Sequence, residues 1–71
     1  MNEETAIAMG FTQLILIETH EQSIECRTLP DAELDGTFRA FDVYENEWIN
    51  VNGWLAESVN VWNGSQWEAV Q

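Results

Sequence analysis

The sequence predicts an all-β domain, a small antiparallel barrel or sandwich of about six short strands built from consecutive hairpins. Apolar and polar residues alternate through most of the chain, which is the period of a half-buried strand. Turn-forming pairs, Asp35-Gly36, Asn52-Gly53 and Asn63-Gly64, interrupt that alternation at short intervals. Aromatic residues stand beside several of these turns, where cross-strand partners meet.

Residues 1–10 form an acidic, alanine-bearing lead, expected as an N-terminal arm or a short helix of the one domain, residues 1–71. Residues 11–19 read as the first strand. Its centre, Leu14, Ile15, Leu16 and Ile17, is apolar at every position, so the strand is expected to be covered on both sides within the fold or to give one face to a neighbour. His20, Glu21 and Gln22 connect it to a second strand over 23–29, with Ile24 and Cys26 on one face and Glu25 and Arg27 on the other. Pro30 ends that strand, and 31–36 is a polar loop. Strands are expected over 37–44 and 47–52, turned by Glu45-Asn46. Asn52-Gly53 is a hairpin or turn signal, because both residues tolerate positive φ. The last two strands, 58–62 and 66–71, flank Asn63-Gly64, where Gly64 is expected to take the positive φ of a tight turn.

An internal echo supports the two later hairpins. Residues 42–51 can be laid over 60–70 as Val, aromatic, polar turn, Trp, two residues, Val, with one extra residue in the second copy. Tyr44 and Trp48 are expected to clamp one hairpin, and Trp62 and Trp67 the other. Such aromatic pairs contribute roughly 0.2–1 kcal/mol each. Trp67 is expected to face a partner, with Trp62 holding the fold.

The chain has 71 residues and is one domain. At this size only about 60% of the unfolded surface is buried on folding, so the core is small. A single cysteine, Cys26, cannot make an internal disulfide, and one cysteine with one histidine cannot hold a structural zinc. Domains without such staples often gain stability from a partner. Thirteen acids against Arg27 and Arg39, with no lysine, give a net charge of −11. That field repels nucleic acid and anionic membranes, so no direct nucleic-acid or membrane binding is expected. The acids serve solubility, face a basic protein partner, or imitate phosphates.

Chemistry is weakly signalled. Cys26 reads as a small apolar residue of a half-buried strand. His20 is the one candidate base for it, and no third residue or oxyanion motif accompanies the pair. Asp31, Glu33 and Asp35 place carboxylates at alternate positions, but the mid-loop glycine and terminal glutamate of a calcium loop are missing. No phosphate loop or metal-spaced set occurs, so neither catalysis, cofactor nor metal is expected. The start, Met1-Asn2-Glu3-Glu4, is acidic where a secretory signal is basic. The longest apolar run is too short for a bilayer.

The ending VNVWNGSQWEAVQ, residues 59–71, resembles the Val-x-Val-Trp-Asn-Gly-Ser-x-Trp hairpins that recur in bacteriophage virion proteins of the tail and fibre type. Related hairpins occur in bacterial adhesins and carbohydrate-binding modules. The resemblance implies a structural protein of a virion, a small decoration or adaptor on capsid or tail, whose partners are other virion proteins or its own subunits. Leu14, Ile15, Leu16, Ile17, Trp54 and Trp67 are the candidate interface residues. The alternative is an acidic phage-encoded inhibitor in the host cytoplasm, a nucleic-acid mimic of the anti-restriction or anti-CRISPR type acting on a DNA-binding enzyme. A sugar-binding module stacking rings on Trp54 or Trp67 is a third option. Spread of the acids along the chain, many of them at turns, favours the virion protein over the mimic.

Overall fold

A computed structural model of the protein describes residues 2–70. Met1 of the expected arm and Gln71 of the expected last strand lie outside the described residues. The arm is a helix, α1 (Glu3–Ala8). Asn2 Oδ1 caps it, accepting from the Thr5 amide at 3.0 Å, and Glu3 and Glu4 occupy the first turn, where the helix dipole favours acids. Six residues cannot hold a helix alone. α1 is kept by packing against the sheet, where Ala6 is fully buried, and by Arg27. The guanidinium donates from Nε to Glu3 Oε2 at 2.7 Å and from Nη1 to the Thr12 carbonyl at 2.9 Å, pinning both the helix and the link that follows it.

Six strands follow: β1 (Gln13–Glu18), β2 (Ser23–Thr28), β3 (Thr37–Asp42), β4 (Glu47–Asn52), β5 (Ser58–Trp62) and β6 (Trp67–Ala69). All pair antiparallel in one sheet of order β4-β3-β2-β1-β5-β6, as an all-β chain should, and that sheet does not close on itself. The expectation of consecutive hairpins is corrected at one link. After β4 a 3-10 turn, Gly53–Leu55, carries the chain across to the far edge of β1, so β4 and β5 are not neighbours. The physical reason lies in β1. Its second edge is buried, and buried amides and carbonyls require partners. β5 supplies them, with Ile15 opposite Val61 and Ile17 opposite Val59.

Strand alternation sorts the side chains onto two faces. The inner face carries the core of Ile15, Ile17, Cys26, Phe38, Ala40 and Val59. Thr28 is buried there too and accepts from Gln13 Nε2 at 3.1 Å. The outer face carries a second cluster, in which Phe41 is fully buried against Trp48. Their ring centroids are 5.2 Å apart, and Phe11 meets Trp48 edge-on at 4.8 Å. Arg39 stands over the same indole at 5.2 Å, an arrangement that favours the cation. β2 and β3 share only two register pairs, Cys26 with Asp42 and Arg27 with Phe41, so the sheet folds over along that seam.

One device closes three hairpin turns. A side-chain oxygen at the first turn position accepts from the amides two and three residues on. Thr19 Oγ1 takes Glu21 and Gln22, Asp42 Oδ1 takes Tyr44 and Glu45, and Asn63 Oδ1 takes Ser65 and Gln66. The cap at Asp42 draws Val43 and Tyr44 into the turn. β3 therefore ends two residues earlier than its sequence pattern suggests.

Gly53 is not a hairpin glycine. Its φ is not positive, and its importance is space. A Cβ there would lie 1.9 Å from the Leu34 carbonyl oxygen and 3.1 Å from the Phe38 ring, while the Gly53 amide donates to Gly36 at 2.8 Å. This contact locks the loop between β2 and β3 onto the exit from β4. Gly53→Ala is expected to lower stability by about 2–3 kcal/mol or to prevent folding, because the carbonyl it strikes is backbone. Urea denaturation of the variant against Gly64→Ala, whose Cβ meets nothing within 4 Å although its φ is +100°, is the check, with the Gly53 change the larger.

Candidate interaction surface

β1 distributes the expected interface residues over opposite faces. Ile15 and Ile17 point into the core, so their assignment to the outward surface with Leu14 and Leu16 is corrected. Leu14 and Leu16 point outward and are half-buried. Leu16 pairs with Glu25 on one side and Asn60 on the other, and the outward row continues into β6 through Ala69. One step along, Leu14 shares its face with Trp62, which pairs directly with Trp67. α1 lies over β2 on this same face, tied there by Arg27, the cross-strand partner of Leu14. Leu14, Leu16, Trp62 and Trp67 thus form one apolar strip on the outer face, ending at the β6 edge.

The terminal hairpin is built to hold that strip. The two indoles meet edge to face, centroids 5.4 Å apart and planes at 63°, a geometry that adds about 0.5–1.5 kcal/mol beyond burial. Gly64 has φ +100°, and Asn63 both caps the turn and donates from Nδ2 to Glu68. The only charge on β6 is therefore drawn into the hairpin, which leaves its outer edge without a guard of the usual kind. Trp62 is 40% exposed and Trp67 is half-buried. Both rings therefore keep some open surface on the outer face.

Other expected residues lie elsewhere. Tyr44 does not clamp Trp48: it sits in the turn, 74% exposed, with its hydroxyl donating to Glu25 at 3.4 Å. The partner of Trp48 is Phe41, so the true structural echo runs from Phe41-Asp42 to Trp62-Asn63, aromatic followed by turn cap. The sequence carried this signal in the Asx residue that follows each aromatic. Trp54 is 62% exposed in the 3-10 turn, away from the strip.

Among the described residues no set of three or more His, Cys, Asp or Glu side chains comes together in a metal-binding arrangement, and no helix is long and apolar enough to cross a membrane. Cys26 is sealed opposite Ile15, and His20 is exposed in the β1–β2 turn beside Glu21. Several acids have local partners: Glu3 holds Arg27, Glu18 meets Asn60, Glu25 meets Tyr44, Asp42 caps its turn and Glu68 takes Asn63. No protein-family model, curated protein or solved structure matches the chain.

Burial pushes the Cys26 thiol up to about 12, with Asp42 and then Glu25 adding to the rise. A thiol at that value is neutral and unreactive in the folded state. Native protein is expected to resist alkylation by iodoacetamide at pH 8 and to react once unfolded in urea. Because the folded value lies above the unfolded one, stability is unaffected below pH 9 and falls as pH rises from 9 toward 12. Denaturation midpoints at increasing alkaline pH should show that fall, and Cys26→Ala should remove this contribution to it.

Proposed function

We propose that the protein is a non-catalytic structural module that docks into a larger assembly, a virion of the bacteriophage type that its terminal hairpin resembles, as a capsid- or tail-bound decoration or adaptor. The observation that carries this reading is the outward apolar strip of Leu14, Leu16, Trp62 and Trp67, running to the unguarded β6 edge. Partly exposed tryptophans are usual anchors of protein interfaces. An edge strand beside them offers backbone pairing as well. The inert thiol and the scattered carboxylates supply no constellation for catalysis.

The inhibitor reading is favoured by one observation, the charge: both arginines are engaged within the chain, against thirteen acids. Against it, five of the acids are drawn into local hydrogen bonds.

Two measurements test the proposal. The protein should be present in purified virions and should stay attached in moderate salt, because apolar contact is not screened, whereas attachment through exposed charge weakens as the screening length falls below about 10 Å. Release by salt alone would favour the inhibitor reading. Trp62→Ala should cost about 1 kcal/mol of stability, from the ring pair alone, yet reduce recovery in assembled particles severely. Trp67→Ala should cost more stability. Thermal unfolding and particle recovery of each variant, measured together, separate the two roles; equal recovery for folded Trp62→Ala would remove the strip as the interface.

A further inference from the structure

The opposite edge of the sheet carries a different feature. β4 pairs with β3 on one side only, so its other edge is free. Along that edge runs an open groove of about 380 Å³. Its walls include Ile17 and Ile24 from the ends of β1 and β2, and Leu55 and Ala56 from the connection to β5. The third wall is residues 49–52, four in succession. Successive residues of a strand point to opposite faces, so four in a row can line one groove only where the strand presents its edge. The lining is mostly apolar and contains no charged residue. Of the acids next to lining positions in the chain, Glu18 and Glu25 share the outer face with Leu16 and Glu57 stands at the connection to β5, while Arg27 is held by Glu3 and Arg39 by Trp48 on the outer face.

We propose that this edge and groove receive an extended, basic segment of another protein, which adds to β4 as a seventh strand. In such strand addition the backbone ladder supplies affinity, and alternate side chains supply selection. Apolar residues at every second position of the segment enter the groove beside Ile49 and Val51. The lysines or arginines between them face outward, into the field of a chain that carries thirteen acids. Charge selects this occupant over a second copy of the chain: two copies each at −11 would bring like fields together along the whole edge. The site is separate from the Trp62 strip, which lies at the far side of the sheet, and does not rest on the virion reading.

The test uses the full chain and a ten-residue probe peptide that alternates Lys with Val, compared with the same peptide carrying Glu for Lys. Binding is followed by calorimetry at low salt, and amide hydrogen exchange identifies the strand protected. The Lys peptide should bind and should slow exchange in β4 selectively. The Glu peptide should do neither, and affinity of the Lys peptide should fall several-fold as salt rises. Leu55→Glu should weaken binding about tenfold while leaving the unfolding temperature near the parent's, since Leu55 is 64% exposed and lies outside any strand. Trp62→Ala should leave peptide binding unchanged, so that failure of particle incorporation and failure of this site are read independently. The proposal is overturned by absence of Lys-peptide binding, by binding that protects no β4 amide, by equal protection from the Glu peptide, or by a folded Leu55→Glu that binds normally. Concentration-dependent protection of β4 without peptide would overturn it in favour of a second copy.

Discussion

β1 is paired on both edges and buried on its inner face, and the rest of the fold follows from satisfying it. Its inward residues, Ile15 and Ile17, are the centre of the core, with Cys26 and Ile24 across one ladder and Val61 and Val59 across the other. Its outward residues, Leu14 and Leu16, require a second cover that the small α1 cannot extend to supply. A sheet this small has no second layer to close its inner face. It folds over instead, bringing Phe38 of β3 and Val59 of β5 into one core, and the Gly53–Leu34 contact holds the β2–β3 loop against the exit from β4. The apolar strip on the outside and the groove beside β4 are both what remains uncovered after that solution.

Electrostatics is arranged with the same economy. Two cations serve an acidic chain, and each is placed where it fastens one layer to another: Arg27 ties α1 and the link after it to the sheet, and Arg39 covers the indole of the outer aromatic cluster. Neither is left to moderate the field seen by a partner. Each buried polar side chain among the described residues is satisfied, so the strain of a small core is not compounded by orphaned groups.

Strand existence was legible in the sequence because alternation and turn residues report directly on local geometry. Glu47–Asn52 and Ser58–Trp62 fall where the pattern puts them. Strand partnership was not legible. Nothing local to 58–62 says that it joins β1 rather than β4; that is decided by the buried second edge of β1. Tyr44 was misplaced because Asp42 competes for the turn amides and so ends β3 early. Asn52-Gly53 has the composition of a hairpin, yet its glycine answers to a carbonyl 19 residues upstream in the chain, Leu34, a contact no local pattern encodes. In the interaction strip, Trp62, Trp67 and the outward leucines could be nominated from composition. Which of the four apolar residues of β1 face out required the register. The groove arises only when the sheet folds over, and no segment of sequence carries its signature.

The ladder between β1 and β5 joins residues far apart in the chain: Asn60 Nδ2 reaches the Leu16 carbonyl across 44 positions. Long-range pairings form late, because a large loop must close before any contact rewards it. On the ribosome, β1 emerges well ahead of the strand that covers its second edge. For that interval the most apolar strand of the protein has an open backbone edge, so the nascent chain is at its most prone to wrong pairing just before β5 is made. Growing chains paused ahead of residue 58 would be the natural clients of a holdase, and the completed fold would not.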